Sequence, residues 1–122
     1  ISDHDYFQEI QDMRVSSHLY IKRTGETIQF VPFNMRAWHA GESSFKGTKD
    51  CNNYSIGIEL EGTDSDVYSN EQYESLIKIT RLIIKNYPET NKESIVGHSD
   101  ISPGRKTDPG NKFEWRRYLD AL

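Results

Sequence analysis

The sequence predicts an α/β domain, a central mixed β-sheet flanked by helices, from three observations. Two short segments near the start alternate apolar and polar residues, a third such segment lies around residue 58, and a long amphipathic helix follows it. The segment Val15-Ser-Ser-His-Leu-Tyr-Ile-Lys22 puts Val15, Ser17, Leu19 and Ile21 on one face and Ser16, His18, Tyr20 and Lys22 on the other, the pattern of a half-buried strand. Thr24, Gly25 and Glu26 make a tight turn into Thr27-Ile-Gln-Phe-Val31, so these two strands are expected to form a hairpin. Ser55-Ile-Gly-Ile-Glu-Leu-Glu61 is the third strand, with Ile56, Ile58 and Leu60 toward the core and Ser55, Gly57, Glu59 and Glu61 opposite. Two glutamates thus share one face.

A helix is expected from about Asn70 to Tyr87, because Tyr73, Leu76, Ile77, Thr80, Ile83, Ile84 and Tyr87 form a stripe at 3.6-residue spacing. Ser69 with Gln72 reads as a capping box at its start, and Pro88 ends it. Ser94-Ile-Val-Gly97 reads as a short strand that delivers His98 into a loop. A final helix from about Asn111 presents Trp115, Tyr118, Leu119 and Leu122 on one side, and residues 1–14 look helical through Tyr6, Phe7 and Ile10.

A chain of 122 residues suits one domain spanning 1–122. With 34% hydrophobic and 28% charged residues it has a globular composition, and it lacks the run of about 18 apolar residues that a membrane span needs. The net charge of −4 argues against a nucleic acid as main partner, since phosphate binding relies on clustered Lys and Arg. Cys51 is the single cysteine, which favours a reducing compartment and the cytoplasm; with no base partner in view it reads as a packing residue. The chain starts at Ile1 without Met, so an upstream segment is expected.

Chemistry concentrates in GHSDISPGRKTDPG, residues 97–110, where Pro103 and Pro109 stiffen a loop carrying His98, Asp100, Arg105, Lys106 and Asp108. Taken singly, His98 suits a structural hydrogen bond at a strand end and Asp108 suits a turn before proline. Taken together, an imidazole and a carboxylate ten residues apart on a stiff loop suit a catalytic zinc, which takes about three N, O or S ligands and keeps a position open. The charge of Lys106 could then stabilise an oxyanion, and Glu59 could act as general base toward a water. For Glu59 and Glu61 a solvated strand face is equally open on spacing alone.

Three segments carry a resemblance: RVSSHLYIKRTGETIQFVPFNMRAWHAG (14–41), CNNYSIGIELEGTD (51–64) and GHSDISPGRKTDPG. Together, in this order and over essentially the whole chain, they resemble the zinc-dependent N-acetylmuramoyl-L-alanine amidases of the peptidoglycan recognition protein superfamily. Within it they are most similar to the cytosolic branch that cleaves 1,6-anhydromuropeptides in cell-wall recycling. The resemblance implies a peptidoglycan recognition protein/amidase-like fold. It makes His98 and Asp108 zinc ligands, Glu59 the residue that activates or positions the attacking water, and Lys106 the stabiliser of the tetrahedral intermediate. By the same resemblance Tyr6, Arg14, Trp38 and Ser102 bind a muropeptide substrate, while His39 and His18 are not ligands and His18 is structural.

The family's first zinc ligand is a histidine on an N-terminal strand, and by this comparison that strand lies upstream of Ile1. Asp50 stands where the recycling enzymes carry an arginine for the peptide stem, with Lys49 the neighbouring candidate to replace it. A monomer is expected, with muropeptide as partner and neither nucleic acid nor membrane. Two rival readings keep the fold: a noncatalytic muropeptide binder, and a secreted or phage lytic amidase acting on intact wall.

Overall fold

The computed structural model describes residues 17–33, 44–46, 48–49, 55–63, 65–104 and 106–122. The helix expected over residues 1–14 lies outside them. In chain order the described elements are β1 (Leu19–Ile21), β2 (Thr27–Gln29), β3 (Ser44–Phe45), β4 (Thr48–Lys49), β5 (Ile58–Leu60), helix α1 (Asn70–Asn86), a 3-10 turn (Lys92–Ser94), helix α2 (His98–Ile101) and helix α3 (Trp115–Leu119). The three-stranded sheet has the order β2-β1-β5. Its β1–β2 hairpin is antiparallel, whereas Leu19 N–H donates to Gly57 O at 3.1 Å and Glu61 N–H to Ile21 O at 2.9 Å, the stagger of parallel strands, so the sheet is mixed. The fold class read from the sequence therefore holds. Strands β3 and β4 form a separate antiparallel pair that the periodicity does not announce.

The chain clusters into two compact units, Ile1–Tyr20 with Thr27–Glu59, and Ile21–Glu26 with Leu60–Leu122. In the first, β1 is buried along its length rather than on alternate residues, which corrects the half-buried expectation: Ser17, His18, Leu19 and Tyr20 are all buried. The second face is covered because Tyr20 stacks on Phe30 at 6.3 Å and His18 meets the edge of Phe33. His18 is held on both sides by Gly57, its ring Nδ1 accepting the Gly57 N–H at 3.0 Å while its backbone N–H donates to Gly57 O at 2.9 Å.

In the second unit the hairpin turn closes through Gly25 N–H to Lys22 O and Lys22 N–H to Glu26 O, both 2.8 Å. Gly25 has φ +89°, which a glycine adopts without strain, and a side chain there would press on Glu71 and Ser75 of α1. The Ser69–Gln72 capping box forms as the sequence predicts. Gln72 is buried for a further reason: its amide donates to Glu61 O at 2.9 Å and Ile21 O at 3.3 Å, tying the helix start to both strand ends. Tyr73, Leu76, Thr80 and Ile83 of the expected stripe are buried, whereas Tyr87 is exposed at the C-cap.

Two sequence expectations fail in this unit for local reasons. Lys92–Ser94 forms a 3-10 turn ahead of extended Ile95, not a strand over 94–97. Asn91 accepts the Glu93 N–H and the Ser94 hydroxyl donates back to Asn91 O, side-chain bonds that compete with a strand ladder. The last helix begins at Trp115 rather than Asn111 because Gly110, at φ +84°, and the turn after it set Phe113 into an aromatic cluster. Tyr68, Tyr73, Trp115 and Tyr118 surround that ring with centroids 4.8–5.8 Å away.

Thr80 donates its hydroxyl to Leu76 O at 2.7 Å, so Tyr118 is the donor in their 2.6 Å contact. Burial pushes the Tyr118 phenol above its ordinary pKa of 10.0. The neutral form is therefore favoured by folding: this stability is present below the unfolded pKa and declines as pH rises past it. Between about pH 9 and 11 the melting temperature of Tyr118→Phe is expected to fall less steeply than that of the wild type. Parallel slopes in a thermal melt series would refute this.

Candidate metal-centred site

The loop after α1 gives the site its geometry. Gly97 stands at the N-cap of α2 with extended backbone, and its N–H donates to Asp100 Oδ2 at 2.9 Å, so Asp100 closes the helix start and is not spare chemistry. His98, the first residue of α2, is 9% exposed, and its Nδ1 lies 2.6 Å from Asp108 Oδ2. The two residues that the sequence pairs across the loop thus meet. Their backbones are joined as well, since Ser99 N–H donates to Asp108 O at 3.0 Å.

Burial would raise the Asp108 carboxyl, but the His98 hydrogen bond, with the charges of His98 and Lys106, holds it below the usual carboxylate value. Lys106 is half-buried, its N–H bonded to Ser102 O at 2.9 Å, and so stands on the same loop as the pair whose charge it influences. The donor set suits zinc, one imidazole nitrogen and one carboxylate oxygen. At 2.6 Å the pair is joined by a hydrogen bond, a proton standing between two atoms that each have a lone pair for a cation.

The loop leaves no room for error at Gly97. A Cβ there would lie 2.6 Å from Pro109 Cδ, and 3.3 Å from both Asp108 O and Trp115 Cζ2. The pyrrolidine ring cannot swing aside as a flexible side chain would, so Gly97→Ala should force the 108–109 segment outward. The expected destabilisation is about 1–3 kcal/mol, the range of an overpacked interior, read by denaturant unfolding. Wild-type stability in this variant would show that the loop yields.

The two glutamates that shared a face now part company. Glu61 Oε1 accepts the Arg23 N–H at 2.8 Å and so caps the hairpin end, next to the Arg23–Asp66 pair at 2.9 Å. Asp66 is held low chiefly by hydrogen bonds from Thr63. Glu59, in β5, is half-buried. Among the described residues the candidates for holding a metal ion are Glu59, His98 and Asp108. Ser102 is 5% exposed and caps α2, its N–H bonded to His98 O at 2.9 Å. The remaining calls, Tyr6, Arg14 and Trp38, lie outside the described residues, as do His39, Asp50, Cys51 and Arg105. Sequence reasoning missed Tyr68, whose hydroxyl donates to Pro109 O at 2.8 Å; only its place in an aromatic-rich chain hinted at it. No described helix is long and apolar enough to cross a membrane.

Comparison with known proteins adds the following. Residues 1–111 match the profile of the family described as N-acetylmuramoyl-L-alanine amidase. The chain is 53% identical over 119 residues to a 1,6-anhydro-N-acetylmuramyl-L-alanine amidase AmpD of Haemophilus influenzae, covering 98% of this chain and 65% of that protein. It superposes on the crystal structure of a selenomethionine AmpD derivative with TM-score 0.86 at 49% identity, covering 98% of this chain and 66% of that one. The amidase AmiD from Escherichia coli, in complex with its substrate anhydro-N-acetylmuramic acid-L-Ala-D-γ-Glu-L-Lys, gives TM-score 0.85 at 32% identity, covering 98% and 53%. The chain therefore spans a little under two thirds of the length of the curated relative and of the AmpD structure, and about half of AmiD.

Proposed function

This chain belongs to the N-acetylmuramoyl-L-alanine amidase family, and from that premise we propose that the protein is a zinc-dependent amidase of muropeptide recycling. It hydrolyses the amide between the lactyl group of 1,6-anhydro-N-acetylmuramic acid and the L-alanine of the stem peptide. The observation that carries the reading is the His98–Asp108 pair, 2.6 Å apart on the loop after α1, in a chain half identical to an enzyme named for that bond. The cytoplasm is the proposed compartment, and both compact units are proposed to belong to one amidase domain, since the family match runs through them.

His98 and Asp108 would hold the zinc. A zinc ion held there would supply Lewis acidity, lowering the pKa of water toward about 7 and polarising a carbonyl. Burial of His98 fixes its ring, and the 2.6 Å contact sets the Asp108 carboxylate beside its Nδ1. Glu59 takes a proton from the attacking water and returns it to the departing alanine nitrogen. The C–N bond of the amide breaks, a C–O bond forms, and the peptide leaves as a free amine. Lys106 faces the oxyanion that develops on the carbonyl, where a charged donor is worth about 10²–10³ in turnover. Lys106→Ala should lower kcat by that factor with metal content unchanged, as steady-state kinetics with elemental analysis would read; an unaltered kcat would remove Lys106 from the chemistry. Tyr6, Arg14, Trp38 and Ser102 are assigned to substrate binding, the muropeptide being the partner and the protein acting as a monomer.

A direct test is chelation. Stripping the metal should abolish release of free stem peptide from an anhydromuropeptide, and added zinc should restore it. Release that survives chelation would contradict the zinc reading, and no release with zinc present would favour a noncatalytic muropeptide binder.

A further inference from the structure

The segment carrying Asp108 is gripped at successive carbonyls. Thr107 O accepts the Gly110 N–H at 2.9 Å, closing the turn, and Asp108 O accepts the Ser99 N–H at 3.0 Å. Pro109 has no N–H of its own to offer, and its carbonyl accepts the Tyr68 hydroxyl at 2.8 Å. Tyr68 is 6% exposed and is itself fixed, its ring edge-on to Phe113 with centroids 5.8 Å apart. Gly97 abuts the same segment from the His98 side, where even one added carbon would meet Pro109. Strand and loop chemistry alone do not require a phenol here. What its hydroxyl holds is the residue next to one proposed zinc ligand, on a turn whose other contacts hold the second.

We propose that Tyr68 is a positioning residue for the metal site: its hydroxyl, through the Pro109 carbonyl, sets the placement of the Asp108 carboxylate against His98. This inference rests on the zinc-amidase reading and deepens it. Groups that orient a ligand from behind typically matter 10–100-fold in metal affinity, although they never touch the ion. The grip acts through the backbone, so an aromatic ring without the hydroxyl fills the same space and leaves the turn free to shift.

The test compares Tyr68→Phe with Tyr118→Phe, a second tyrosine of the same aromatic cluster whose hydroxyl bonds Thr80 on α1 instead. Zinc affinity is measured by competition with a chromophoric chelator. Tyr68→Phe should bind zinc about 10–100-fold more weakly, while Tyr118→Phe binds as the wild type does, whatever either does to the melting temperature. Equal affinity in Tyr68→Phe and wild type, or equal weakening in both variants, would overturn the proposal. If the wild type itself bound no zinc, the zinc reading would fail separately. The positioning would still be decided in the metal-free chain by the ring ¹⁵N shifts of His98: shifts altered in Tyr68→Phe and not in Tyr118→Phe support it, and unaltered shifts refute it.

Discussion

Asp108→Ala is expected to leave the protein without bound zinc and with amidase turnover at background. The carboxylate is one of two adjacent donors on the loop, 2.6 Å from His98 Nδ1, and alanine offers no lone pair in its place. The fold should survive, because the Asp108 backbone carbonyl keeps its bond to Ser99 of α2 when the side-chain bond to His98 is lost, and the side chain is a third exposed. Elemental analysis should find one zinc per chain fall to nearly none, with a circular dichroism spectrum like that of the wild type. Retention of stoichiometric zinc would show that Asp108 is not a ligand. The same substitution carries a pH consequence. A carboxyl whose folded pKa lies below its ordinary 3.8 takes up its proton more readily unfolded, so its contribution is present above that value and is lost as pH falls through the folded pKa. Acid unfolding of the metal-free Asp108→Ala chain should lack that component.

Glu59→Gln is expected to lower turnover by about 10²–10⁴ while zinc stays bound, because the residue is assigned to moving protons. Glutamine keeps the size and the hydrogen-bonding oxygen of the side chain but cannot accept a proton at neutral pH, so the loss should fall on kcat with little change in KM. The comparison with Glu61→Gln is instructive. Glu61 accepts the Arg23 N–H at the hairpin end, and its amide replacement should touch stability more than rate. Loss of zinc from Glu59→Gln would make Glu59 a ligand, and unchanged kcat would remove it from the mechanism.

The long helix was legible because its signals are local: a capping box at Ser69 and Gln72, and a stripe that leads through Tyr73, Leu76, Thr80 and Ile83 to a proline. The hairpin was legible for the same reason, a glycine where the turn needs positive φ. The burial of β1 on both faces was not, since His18 and Tyr20 read as outward by alternation and are covered by Gly57, Phe33 and Phe30, partners remote in sequence. The 3-10 turn at Lys92–Ser94 escaped because Asn91 and Ser94 bond to nearby backbone, a competition that apolar periodicity does not register. Within the site, His98 and Asp108 could be paired from a stiff loop and a resemblance. Glu59 was singled out over Glu61 by the same resemblance, spacing alone having left both on one strand face; the Arg23 contact that occupies Glu61 spans 38 residues and was not legible. Tyr68 and Gly97 escaped entirely, for their importance lies in what stands behind them rather than in their own chemistry.

The most direct measurement is hydrolysis of an anhydromuropeptide in H₂¹⁸O, with both products weighed by mass spectrometry. The expected result is one ¹⁸O in the lactyl carboxylate of the anhydro-sugar and none in the stem peptide, which appears with a free L-alanine amine. Intact substrate in the presence of zinc, or label at any other bond of the muropeptide, would contradict the account.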